Sequence, residues 1–88
     1  MTDFGGWKES VGGVITPELR AYFEEAVTGL MGVGYTPVAL LATQEANGTN
    51  YKFQAIADPI SAVGASTEKI VIVNVDPSGK ATLVDIED

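Results

Sequence analysis

Apolar side chains between Thr16 and Gly32 recur at helical spacing: Leu19, Tyr22, Phe23, Ala26, Val27, Leu30 and Met31 follow the i, i+3, i+4, i+7 rule. Thr16 supplies a hydroxyl that can accept from free N–H groups, Pro17 suits the first helical position, and Glu18 sits well in the positive first turn. Arg20, Glu24, Glu25 and Thr28 fall on the opposite side, and Gly32 can take the left-handed conformation that stops a helix. The pattern predicts an amphipathic helix of about fifteen residues with one buried face.

Beyond Gly32 the period changes from 3.6 to 2. Pro37 opens an extended run, Val38 to Thr43, and Tyr51, Phe53, Ala55 and Ala57 alternate with Lys52, Gln54 and Ile56. Asn47-Gly48 lies between the runs and tolerates the positive φ of a tight hairpin turn. Antiparallel pairing would let Val38, Leu40 and Ala42 join Tyr51, Phe53 and Ala55 on one face toward the helix. Asp58-Pro59 is expected to end the second strand, and Ser61 to Glu68 to connect it to a further hairpin. There Lys69 to Val75 is rich in β-branched residues, Asp76-Pro77-Ser78-Gly79 has the residues of a type I turn, and Lys80 to Ile86 is again strand-like. Trp7 to Ile15, interrupted by Gly12-Gly13, reads as a short, bulged edge strand. Residues 1–88 are thus expected to form a single α+β domain, one amphipathic helix packed across a four- or five-stranded antiparallel sheet.

Composition narrows the chemistry. At 88 residues the chain buries only roughly 60% or a little more of its unfolded surface. Without cysteine it cannot be stapled by disulfides or a thiolate metal site, so packing must stabilise it. Twelve acids against five scattered bases give a charge of −7, a poor surface for nucleic acid. The acidity is read as favouring solubility. No apolar stretch is long enough to span a membrane, and Met1 to Gly6 lacks signal-peptide character, so cytoplasmic residence is the default expectation. With neither His nor Cys, the usual catalytic triads, dyads and histidine metal sites are absent, and no enzyme and no cofactor is expected. Glu24 and Glu25 are adjacent on the predicted helix and point about 100° apart, so they read as a solvated face. The Gly5-Gly6 and Gly12-Gly13 pairs lack the strand, turn and helix context of a phosphate loop.

The stretch Gln44-Glu45-Ala46-Asn47-Gly48-Thr49-Asn50-Tyr51 resembles the first inhibitory hairpin of the cystatins, which usually carry Gln-x-Val-x-Gly followed by a Thr-Asn-Tyr-like strand. Gln44, Gly48 and Thr49-Asn50-Tyr51 match that pattern; Ala46 stands where the family has its central Val. The resemblance covers nearly the whole chain: Gly5-Gly6-Trp7, the helix, the Gln44 to Gly48 turn and the final hairpin. It implies a cystatin/monellin-like fold and a three-part wedge that fills the cleft of a papain-like cysteine protease without covalent chemistry. Phe4, Gly5 and Gly6 would be the N-terminal arm, Gln44, Glu45, Ala46, Asn47 and Gly48 the central contact, and Pro77 part of the second turn. That turn lacks the tryptophan the family often has there.

Two functional expectations follow. One is reversible inhibition of papain-type proteases, weakened because Glu45-Ala46-Asn47 replaces the usual Val-Val-Ala and each lost buried methylene is worth about 0.8 kcal/mol. A carboxylate at Glu45 would also resist desolvation. The other is a non-inhibitory cystatin-fold module that binds another protein or serves a structural role. The expected state is a monomer, with a strand-swapped dimer through the first hairpin as the alternative. Trp7, the sole tryptophan, is expected to be a packed anchor for the first segment rather than an exposed contact.

Overall fold

In the computed structural model, Thr16 opens the helix as its chemistry suggests: its Oγ1 accepts from the Leu19 N–H at 3.1 Å, and Pro17 takes the first helical position. The structure describes residues 6–30, 32–59 and 65–88. Chain order is β1 (Trp7–Glu9), α1 (Pro17–Val27), β2 (Val33–Glu45), β3 (Thr49–Pro59), β4 (Thr67–Val75) and β5 (Ala81–Glu87). The helix is 11 residues long and ends a turn before the periodicity does. Thr28 leaves helical geometry, its N–H and its Oγ1 both reach the Glu24 carbonyl, and Gly29 takes φ +96° just beyond. Gly29, rather than Gly32, therefore stands where the left-handed residue closes the helix. Leu30 lies outside the helix and is 38% exposed; Met31 falls outside the described residues.

The five strands form one antiparallel sheet in the order β1-β2-β3-β4-β5. Each strand lies beside its sequence neighbours, and the helix is inserted between β1 and β2. This is the α+β arrangement expected from the change of period. Helix α1 packs on one face, against β2, β4 and β5, and sends the Phe23 ring edge-on to Phe53 of β3 at 5.1 Å. Phe23, Phe53, Val71 and Val73 are fully buried, with Ala55, Leu40, Val75 and Ala81 around them. Tyr22 stacks on Tyr51 at 6.2 Å beside that centre.

The face assignment of β2 departs from simple alternation. Register shifts lie between Pro37 and Ala39 and between Leu40 and Ala42. Leu40 consequently pairs with Phe53, on the helix side, whereas Ala42 pairs with Lys52, on the opposite side, and Val38 is 50% exposed. Two irregularities in one strand reset the period of 2 that the expectation relied on. Strand β2 also begins at Val33, ahead of Pro37, and β3 retains Pro59 as its last residue, paired with Val33.

Candidate functional site

The order of the sheet brings three separated segments to one end. Trp7 pairs with Gln44, so Gly6 and the start of β1 stand beside the end of β2. The turn 46–48 joins β2 to β3, and Thr49 pairs with Val75, so the turn after β4 stands next in line. Strands separated by about 4.8 Å set Gly6 roughly 17 Å from the β4–β5 turn, measured across the sheet. Of the residues expected at a site, Gly6, Gln44, Glu45, Ala46, Asn47, Gly48 and Pro77 are brought to this one end. Phe4 and Gly5 lie outside the described residues.

The first turn is built by backbone conformation. Asn47 and Gly48 both take positive φ, +48° and +102°, as the sequence suggests, and the Ala46 N–H donates to the Gly48 carbonyl at 3.1 Å. Gly48 is required for a second reason. A Cβ at this position would run into the Val75 carbonyl oxygen and would come within 2.8 Å of the Asp76 Cα, so the first turn rests backbone to backbone on the start of the second. Glu45 and Asn47 are exposed at the tip.

The second turn is organised by one carboxylate. Asp76 Oδ1 accepts from the Ser78 N–H at 2.9 Å, the Ser78 hydroxyl at 2.7 Å and the Lys80 N–H at 3.0 Å. The backbone closes the same turn through Gly79 N–H to Asp76 carbonyl at 2.8 Å and Asp76 N–H to Lys80 carbonyl at 3.0 Å. The Ser78 hydroxyl and then the Lys80 N–H hold the Asp76 carboxyl below its ordinary range, because both favour the ionised form. Gly79 takes φ +94° near the end of the turn, with Lys80 leading into the returning strand. Pro77 and Ser78 are exposed at this tip.

Beneath the turns runs a row of polar side chains that the sequence reading did not single out. The register carries one line across all five strands: Trp7, Gln44, Asn50, Asn74 and Thr82. Tyr51 and Phe53 face the helix, so Asn50 and the residues paired with it face away. Asn50 Nδ2 donates to Gln44 Oε1 at 2.7 Å, and Asn74 Nδ2 donates to Asn50 Oδ1 at 2.9 Å and to the Ala46 carbonyl at 3.3 Å. Trp7 closes the row at the β1 edge, 38% exposed, with Lys52 Nζ 4.4 Å from its ring centroid. It is therefore a partly open residue held by a cation, not the packed anchor expected. Asn74 was the findable member: it is the one amide in the run Ile70-Val71-Ile72-Val73-Asn74-Val75.

A shallow cavity of about 290 Å³ lies at the opposite end, lined by Val33, Tyr35, Ala57 and Thr67 among others, and is separate from this site. Among the described residues no group of acidic, His or Cys side chains could hold a metal ion, and no helix is long and apolar enough to cross a membrane. Comparison of the chain with protein-family models, with curated proteins and with solved structures gives no match.

Proposed function

We propose that the turn-bearing end of the sheet is a protein-binding edge of cystatin type, and that it inhibits papain-type cysteine proteases reversibly and without covalent chemistry. The observation that supports this reading is the alignment of Gly6-Trp7, Ala46-Asn47-Gly48 and Asp76 to Gly79 along one end, with Gly48 seated on Val75 and Asp76. An edge roughly 17 Å long and one strand layer thick has the proportions to enter a cleft. Both turns are closed by hydrogen bonds of their own, a preorganisation that reduces the ordering cost of association. Mechanism here is occlusion: Ala46 and the backbone of Asn47-Gly48 occupy the centre of the cleft, while the N-terminal arm and Pro77 take positions on either side.

Specific observations favour a second reading, a non-inhibitory binding or structural module on the same fold. Glu45 and Asn47 are the exposed tip of the first turn, and the second is knit by an ionised aspartate, so the edge is polar where a protease cleft rewards apolar contact. Titration of papain and a cathepsin-like protease with the full chain separates the two. Inhibition at or below about 1 μM, corresponding to about −8 kcal/mol, fits the inhibitor. A folded chain that leaves both enzymes fully active at tens of micromolar rejects it in favour of the module.

A further inference from the structure

We infer that Asn74 is a positioning residue that fastens the β2–β3 turn to strand β4, so that the two turns present themselves as one preorganised unit. Asn74 lies outside both turns and is partly buried on the face away from the helix. Its two amide hydrogens are divided between two strands' worth of partners. One goes to Asn50 Oδ1 in the ladder, the other to the carbonyl of Ala46, the first residue of the turn. The ladder itself is directional: Asn50 passes its own N–H to Gln44, so Asn50 and Asn74 both donate toward β2.

The Ala46 carbonyl is the point where such a fastening acts best. The Ala46 carbonyl lies in the peptide that leads into Asn47, and the Ala46 N–H, in the preceding peptide, donates to the Gly48 carbonyl, so the turn is held on both sides of the Ala46 Cα. On the same side, Gly48 has no room for a side chain against Val75 and Asp76. The hydrogen bond from Asn74 and the backbone contact with Val75 and Asp76, both made by the end of β4, leave the loop little freedom to swing away from the second turn. Asp76 ties that second turn through its own three bonds, so each turn is ordered by a different side chain and Asn74 connects the first to the sheet. The consequence for affinity rests on the protein-binding edge proposed above; the positioning role does not.

The test uses the full chain with Asn74→Asp, which keeps the shape but removes the donor, with Asn74→Ala, and with Asn50→Ala, which breaks the ladder but leaves the Asn74 to Ala46 bond available. Amide exchange at Ala46 and ¹⁵N relaxation over residues 46–48 read the turn directly, with the Gly79 amide as the internal reference. Loss of one such bond is expected to speed exchange at Ala46 by about fivefold to tenfold in Asn74→Asp, with faster local motion at 46–48 and no change at Gly79. Asn50→Ala should leave Ala46 within about twofold of the parent, because the bond to Ala46 survives. Unchanged exchange and relaxation in Asn74→Asp, or equal loosening in Asn50→Ala, would overturn the inference. Where the parent chain inhibits papain, Asn74→Asp should weaken inhibition by up to about tenfold. A parent that does not inhibit rejects the protease reading alone, and the exchange data still decide the role of Asn74.

Discussion

Gly48 separates the two reasons a glycine can be needed. Its φ of +102° strains any L side chain, and the space where a Cβ would sit is already occupied by the Val75 carbonyl. Gly79 has a similar φ of +94° but nothing within 4 Å of the corresponding position. Gly48→Ala should therefore destabilise the chain by about 2–4 kcal/mol, combining backbone strain with overpacking, whereas Gly79→Ala should cost only about 1 kcal/mol. Urea unfolding of the two variants side by side measures the difference; equal losses would show that contact with Asp76 adds nothing. Asp76 supplies the pH dependence. Its carboxyl titrates below the ordinary aspartate value, so its stabilisation of the turn is present above the unfolded pKa and is lost as pH falls through the folded one. Carbon-detected titration should place Asp76 below the ordinary aspartate value, with amide exchange at Ser78 and Lys80 rising as Asp76 protonates. On the proposed inhibitor reading, Glu45→Val should tighten inhibition by about tenfold, through added apolar contact and the removal of a carboxylate from the interface.

Helix α1 shows which elements are legible in sequence and where legibility stops. Its start follows from Thr16-Pro17-Glu18, and its buried stripe from spacing alone; the observed cap and the burial of Phe23 agree with both. Its end was misplaced because apolar periodicity continues through Leu30, whereas the backbone has already turned at Thr28-Gly29. The periodicity points to Gly32 as the stop; both Gly29 and Gly32 take positive φ, but it is Gly29 that directly follows the Thr28 cap. The strands behave alike: β3 alternates without interruption and its inward residues were readable, but the shifts near Val38 and Leu41 in β2 leave no mark on the pattern. The Asn47-Gly48 turn and the type I turn residues at Asp76 were local signals and therefore visible. The row of Gln44, Asn50 and Asn74 depends on register across three strands and was not. At this scale Thr16→Ala should remove about 1 kcal/mol of stability and Phe23→Ala about 3–5 kcal/mol, both read from denaturant midpoints at constant slope.

Over the whole molecule, structural roles separate along the long axis, which extends 49 Å against 25 and 24 Å for the others. Helix and sheet enclose the core around Phe23 and Phe53, while the turns project from one end of the same strands and add no bulk to it. The outer strand β5 meets solvent with Asp85, Glu87 and a register shift opposite Ile72-Val73, features that discourage edge-to-edge pairing. A single species of 9.2 kDa by light scattering is the expected outcome, and a species of twice that mass that grows with concentration would point to strand exchange through the first hairpin. Inhibition of the proposed kind requires that one end of the sheet, and no other surface, meets the protease. The most direct measurement of that requirement is an amide chemical-shift map of the full chain titrated with active-site-blocked and active papain. Active enzyme should perturb Trp7, Ala46 to Gly48 and Asp76 to Gly79 together, and blocking the cleft should abolish all three. Perturbations confined to the helix or the open sheet face, or unchanged by blocking the cleft, would contradict it.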